Sequence, residues 1–279
     1  MEEGWLGTKV IDPEKYKNFR KKWGIIMKAL VIAVLLSLLK FYIDVNGLAT
    51  IPMNALVTSV LAGVFFTIGI LFAGAIADYK ESERIPGELS ASIRALYADA
   101  GVVPIDKKDE KIIAVMRMHI VELLSTLNSN FRRNVWKLKE ISMAMDKINE
   151  DIRILAQKGV APGFITKFRS ELTVIDRLSH RIDTISETTF IPAAYTLAEV
   201  AIATILSILL FVDLKMGGAA IVVIGITSII LMSLVFLIKD VDSPFEVSQG
   251  SYADVDLSLL FNLEDYLSKT TPGMKTKAK

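Results

Sequence analysis

The stretch IPMNALVTSVLAGVFFTIGILFAGAIA, residues 51–77, carries no charged side chain, in a chain that is 23% charged overall. A helix rises 1.5 Å per residue, so about twenty residues cross roughly 30 Å of hydrocarbon and this run crosses with residues to spare. Inside lipid the backbone must satisfy its own hydrogen bonds, which a lone helix does and an isolated strand does not. The run therefore reads as a membrane-spanning helix, and the rest of the chain is organised around it.

Three more apolar runs accompany it. Residues 24–43 are interrupted only by Lys28 and Lys40 near the two ends, where long side chains snorkel to the headgroups. Residues 190–212 carry one charge, Glu199, and residues 219–238 carry none. Short links at 44–50 and 213–218 join the first run to the second and the third to the fourth, so the runs form two hairpins that turn at the same membrane surface. The expected fold is all-α: four transmembrane helices in two hairpins, continuous with a cytoplasmic helical bundle at residues 78–189, followed by a cytoplasmic tail at 239–279. The whole chain, 1–279, reads as one unit.

Basic residues set the orientation, because cytoplasmic flanks of membrane helices are enriched in lysine and arginine. Lys15, Lys17, Arg20, Lys21 and Lys22 precede the first span, Lys80, Arg84 and Arg94 follow the second, Arg169, Arg177 and Arg181 precede the third, and Lys239 follows the fourth. The hairpin links add little beyond Lys215. Both termini are expected in the cytoplasm of a multi-pass cell-membrane protein, with Trp23 and Tyr42 as interfacial aromatics around the first span. A cleaved signal peptide is not expected, because the first run is too long and lacks a small-residue cleavage site before the second.

A hydrophobic content of 52% and a positive mean hydropathy agree with membrane residence. The formal net charge of +1 hides a segregation of nearly all charge to one side. The basic residues are accounted for as topology determinants, so no nucleic-acid partner is expected. Cysteine is absent, which removes disulfides, thiol chemistry and cysteine-based metal sites.

The middle of the chain reads as helix. Pro86 is expected to turn the chain after the second span, with a helix over residues 87–100 and a connection at 101–106. From Asp109 to about Lys158, apolar residues recur at helical spacing (Ile112, Val115, Met116, Leu123, Leu127), a stripe that needs a partner helix. Lys158-Gly159-Val160-Ala161-Pro162-Gly163 breaks this pattern, and helix resumes from Phe164 to Ser186.

Catalytic chemistry has little support. The two histidines, His119 and His180, read as helix-surface or packing residues, and no phosphate loop, HExxH or GxSxG occurs. An enzyme is not indicated, no cofactor is expected, and any metal is left unknown. Glu81, Glu83 and Glu88 alternate with Lys80 and Arg84 in the manner of a solvated helix face.

The run at 51–77 is also rich in small and weakly polar residues: Asn54, Thr58, Ser59, Gly63, Thr67, Gly69 and Gly74. Close helix packing explains them. So does lining a narrow pore around an oligomer axis, in which case Val64, Ile68 and Phe72, at i, i+4 and i+8, project inward as a hydrophobic neck.

Three segments resemble the bestrophins and their prokaryotic relatives. Ile51-Pro52 opens the second span, which leaves through Asp78-Tyr79-Lys80-Glu81-Ser82-Glu83-Arg84. Before the third span stand Arg181-Ile182, Thr189, Ile191-Pro192 and Tyr195. After the fourth come Asp240-Val241-Asp242-Ser243-Pro244-Phe245-Glu246, then Asp254, Asp256 and a leucine-rich helix to Tyr266. The cytoplasmic junction Asp242, Pro244 and Phe245 is the most specific of these. Paired tryptophans after the pore helix are replaced by Tyr79 to Glu83, Glu246 stands where glycine is usual, and the acidic run of the animal calcium clasp is reduced to Glu246, Asp254 and Asp256, so calcium gating is not carried over.

The resemblance implies an oligomeric ion channel, a homopentamer whose axial pore is lined by the second helix, with the lipid bilayer and inorganic ions as its other partners. Chloride conduction is the preferred selectivity. A cation channel of the same architecture and a non-conducting membrane scaffold or signalling protein are the alternatives. Residues 255–267 place Val255, Leu259, Leu260, Leu263 and Leu267 on one helix face, suited either to a neighbouring subunit or to the chain's own bundle.

Overall fold

The computed structural model describes residues 14–106, 109–187, 192–215, 217–241, 244–245 and 254–271. Among them the architecture is all-α apart from one minimal strand pair. Helix α1 (Glu14–Val45) and helix α2 (Ala55–Ala100) form the first hairpin. Helix α6 (Pro192–Phe211) and helix α7 (Gly218–Val241) form the second. Between them lie α3 (Glu110–Arg133), α4 (Leu138–Gln157) and α5 (Pro162–Glu187), and α8 (Ser258–Thr270) follows.

Both hairpin turns use left-handed backbone. Gly47 has φ +65° and Gly217 φ +54°, where an L side chain is strained. At the first turn Leu48 N–H reaches back to Ile43 O at 2.9 Å, closing the end of α1. The two links also touch: β1 (Ile51–Pro52) pairs in parallel with β2 (Val212–Asp213). This pair ties the hairpins together at their turn end, and two residues per strand leave no alternating pattern for a sequence reading to detect.

The membrane half is a four-helix packing in which α1 lies along α7, and α6 touches α1, α2 and α7. Its interior gathers Leu61, Ile68, Ile202, Ile205, Ile224 and Leu231. Apolar side chains such as Leu35, Leu38, Leu56 and Val222 remain on the outside, as lipid-facing positions do. By length and composition α1, α2, α3 and α7 qualify as spans, and α6 falls just short over its described apolar part. We assign α6, not α3, to the membrane. The middle of α3 holds Arg117, His119 and Glu122, and its buried face packs on α4 and α8, which are themselves charged.

The extramembrane half is a bundle of α3, α4, α5, α8 and the second half of α2, closed around Leu89, Ile93, Leu96, Leu124, Phe168 and Ile175. Two expectations change here, and one open alternative is resolved. First, Pro86 lies inside one continuous 46-residue helix and does not turn it. The lost hydrogen bond and ring clash cost about 3 kcal/mol, but Ile85, Pro86, Leu89 and Ile93 are all buried at this point, and each large apolar side chain contributes about 1.5–3 kcal/mol. Second, the helical stretch from Asp109 to Lys158 is an antiparallel pair, turned at Asn134, whose φ of 52° makes it a left-handed cap after Arg132 and Arg133. Third, α8 docks on its own chain: Leu260, Leu263 and Leu267 are buried, Asn128 Nδ2 donates to Leu260 O at 3.1 Å, and Arg132 pairs with Glu264 at 2.9 Å.

Candidate functional site

Helix α2 runs from the membrane into the bundle, so its faces define the site. Asn54 caps it, accepting from Val57 N–H at 2.9 Å. The hydroxyls of Thr58, Ser59 and Thr67 donate back to carbonyls four residues earlier, at 3.0, 2.8 and 2.9 Å. Each hydroxyl thus has its partner without reaching another helix.

One face is taken by the rest of the chain. Ile68 is 1% exposed, Val64 packs into the same cluster, and Phe72 packs beside Ala75, Ile238 and Val241. At 3.6 residues per turn, Val64 and Phe72 lie about 40° to either side of Ile68. All three residues of the expected neck stripe therefore point toward α6 and α7 of their own chain.

About 160–180° away on the same helix lie Ser59, Phe66, Ile70 and Ala77. Phe66 is 69% and Ile70 56% exposed. Beside them, a Cβ placed on Gly63 or Gly69 would meet nothing within 4 Å. No described residue packs against these two glycines. They leave a smooth, apolar, open face along the membrane part of α2.

Where α2 leaves the membrane, Arg181 of α5 grips Glu81 with both arms, at 2.8 and 2.6 Å. The guanidinium holds the Glu81 carboxyl below its usual range, chiefly through this hydrogen bond. The pair joins α2 to α5 just below the membrane, and Arg84 and Glu88 form a second pair one turn on, at 3.2 Å.

Two charges in the apolar runs have partners that lie far away in sequence. Lys40, expected to snorkel, is 1% exposed: its Nζ donates to Leu210 O at 3.1 Å and Val212 O at 2.7 Å, and pairs with Asp44 at 2.8 Å. It binds a carbonyl in the last turn of α6 and another at the start of β2, where a cation also complements the helix dipole. Glu199 of α6 is paired with Lys239 of α7, which removes most of the cost of a carboxylate at that depth.

Of the expected junction, Asp242 lies outside the described residues. Pro244 accepts from Val255 N–H at 2.9 Å, and Phe245 is buried with its ring 5.9 Å from that of Phe131, which in turn lies 5.0 Å from Trp136. Phe245 thus anchors the end of α7 to the α3–α4 turn. His119 Nδ1 meets Asp151 Oδ2 at 2.6 Å across α3 and α4, and burial pushes the Asp151 carboxyl above its usual range. Among the described residues no cluster of three or more histidine, aspartate or glutamate side chains is arranged to hold a metal.

No family model and no curated protein matches the sequence. The fold does have counterparts. A bacterial bestrophin homologue from Klebsiella pneumoniae superposes with a TM-score of 0.72 at 14% identity, covering 90% of this chain and 100% of that one. A variant of that homologue gives 0.73 at 13% identity, over 88% and 99%. A structure described only as a membrane protein gives 0.73 at 13% identity, over 89% and 99%. The protein is thus a membrane protein with the fold of the bacterial bestrophin homologues, along nearly its whole length.

Proposed function

We propose that the chain assembles about an axis, as a homopentamer, into an ion channel in the cell membrane, with α2 lining the pore and both termini in the cytoplasm. The observation that carries this reading is the open face of α2: a membrane helix keeps Phe66 and Ile70 uncovered, with glycines beside them whose Cβ positions no described residue approaches within 4 Å. Repeated around an axis, such faces form a narrow apolar tube that blocks ions by dewetting and opens on a small rotation. The likeness to the bestrophin homologues supports the same architecture.

The constriction is assigned to the Phe66–Ile70 line. Val64, Ile68 and Phe72 would reach an axis only if α2 turned about itself by roughly half a revolution. Chloride is the proposed permeant ion. Where α2 leaves the membrane it mixes Asp78 and Glu83 with Lys80 and Arg84, so a cation-conducting channel is the competing reading. No enzymatic activity is proposed.

Recording from purified protein in a planar bilayer under a KCl gradient tests this. A reversal potential near the chloride value supports the proposal, and one near the potassium value keeps the channel but reverses its selectivity. A silent protein favours a membrane scaffold whose helical bundle binds a partner.

A further inference from the structure

Below the membrane, the groove between α2 and α5 opens into a cavity of about 500 Å³. Glu81, Arg84 and Glu88 line it from α2, and Arg177, His180 and Arg181 from α5. The α2 set lies at i, i+3 and i+7 and the α5 set at i, i+3 and i+4, so each comes from one helix face. Counting around α2, Glu81, Arg84 and Glu88 fall within about 40° of the side opposite Ile68, the side that carries Phe66 and Ile70. The cavity therefore lies on the downward continuation of the open membrane face.

Its charge is unbalanced. Arg181 is held by Glu81 in a two-armed pair, and Arg84 touches Glu88 through a single contact of 3.2 Å. Among the described residues Arg177 has no carboxylate partner. Three guanidiniums thus face two carboxylates, and the Arg84–Glu88 pair, both members exposed to water, is of the kind that contributes little and breaks readily. Planar guanidinium forks match tetrahedral oxyanions with two parallel hydrogen bonds, which a spherical halide cannot accept.

We propose that this cavity binds a phosphate group, with Arg177 and Arg84 as its principal ligands and the Glu81–Arg181 pair as its fixed wall. A singly charged phosphate group there balances the excess of one positive charge and draws Arg84 away from Glu88. Its placement on the pore side of α2 is what rests on the channel reading, and occupancy then reduces conduction from that side. The binding itself requires only the cavity.

The test uses the full chain in detergent, titrated with inorganic phosphate at constant ionic strength against chloride and followed by thermal stabilisation. Saturable stabilisation by phosphate and not by chloride is expected. Arg177→Gln and Arg84→Gln, both at exposed positions, should each weaken binding about tenfold, the effect of losing one charge-assisted hydrogen bond. Dihexanoyl phosphatidylglycerol below its micellar concentration is the second probe. If it saturates the same arginine-sensitive site where inorganic phosphate does not, the phosphate group comes from a lipid. No saturable effect with either probe, or binding that both variants leave unchanged, overturns the proposal. Bilayer recording separates the two readings: arginine-sensitive binding to a silent protein keeps the site and removes the pore.

Discussion

Lys40 donates to the carbonyl of Val212 at 2.7 Å, across 172 positions of sequence. That bond, with those to Leu210 and Asp44, holds the end of α1 against the end of α6 where the two hairpins meet through β1 and β2. Lys40→Met keeps the length and packing of the stem but leaves two carbonyls and a carboxylate without their cation. Breaking such a pair costs about 3 kcal/mol, roughly 5–10 °C in the melting temperature of a chain of this size. An unchanged melting temperature in detergent would show that Lys40 is not the clamp.

Asp151 makes the stability of the bundle depend on pH. Its carboxyl is pushed above the usual value, first by burial and less by Glu150, while the hydrogen bond from His119 works the other way. A group raised on folding contributes stability that is full below its unfolded pKa and is lost as pH rises through the folded one. Asp151→Asn removes this titration. The wild type should therefore lose ground to the variant as pH rises from about 4 toward neutrality, read as the difference between the two melting temperatures. A difference that stays flat with pH contradicts the assignment.

Phe245 fixes the chain after α7 to Phe131, and through it to Trp136 and the α3–α4 turn. Phe245→Ala should cost about 3–5 kcal/mol, the range for removing a buried aromatic ring, and Phe245→Leu appreciably less. Proteolysis between α7 and α8, followed by mass spectrometry, reports the detachment directly. Equal protection in both variants would mean that the ring is not the anchor.

Much of this architecture is legible from charge alone. Runs without charge mark the membrane helices, and glycines at 47 and 217 mark their turns. What the sequence hides has specific causes. A helix that is apolar all round presents no hydrophobic face, so the sequence does not say which side of α2, that of Val64, Ile68 and Phe72 or that of Phe66 and Ile70, the rest of the chain covers. The partners of Lys40 and Glu199 are backbone carbonyls and a lysine that only the assembled hairpins bring near. The turn between α3 and α4 left a readable signal, Arg132-Arg133-Asn134, two basic residues in the last turn followed by a residue tolerant of left-handed backbone. Pro86 misleads because the burial that offsets its cost comes from helices much later in the chain.

The measurement that bears most directly on the central claim compares the two faces of α2 in planar-bilayer recordings. The account predicts that Phe66→Ala with Ile70→Ala raises conductance or open probability over the wild type. It predicts that Ile68→Ala lowers thermal stability, by about 2–5 kcal/mol as buried isoleucine truncations do, with the current per channel unchanged. Larger currents from substitutions at Val64, Ile68 and Phe72, with none from Phe66 and Ile70, would place the pore on the opposite face and contradict it.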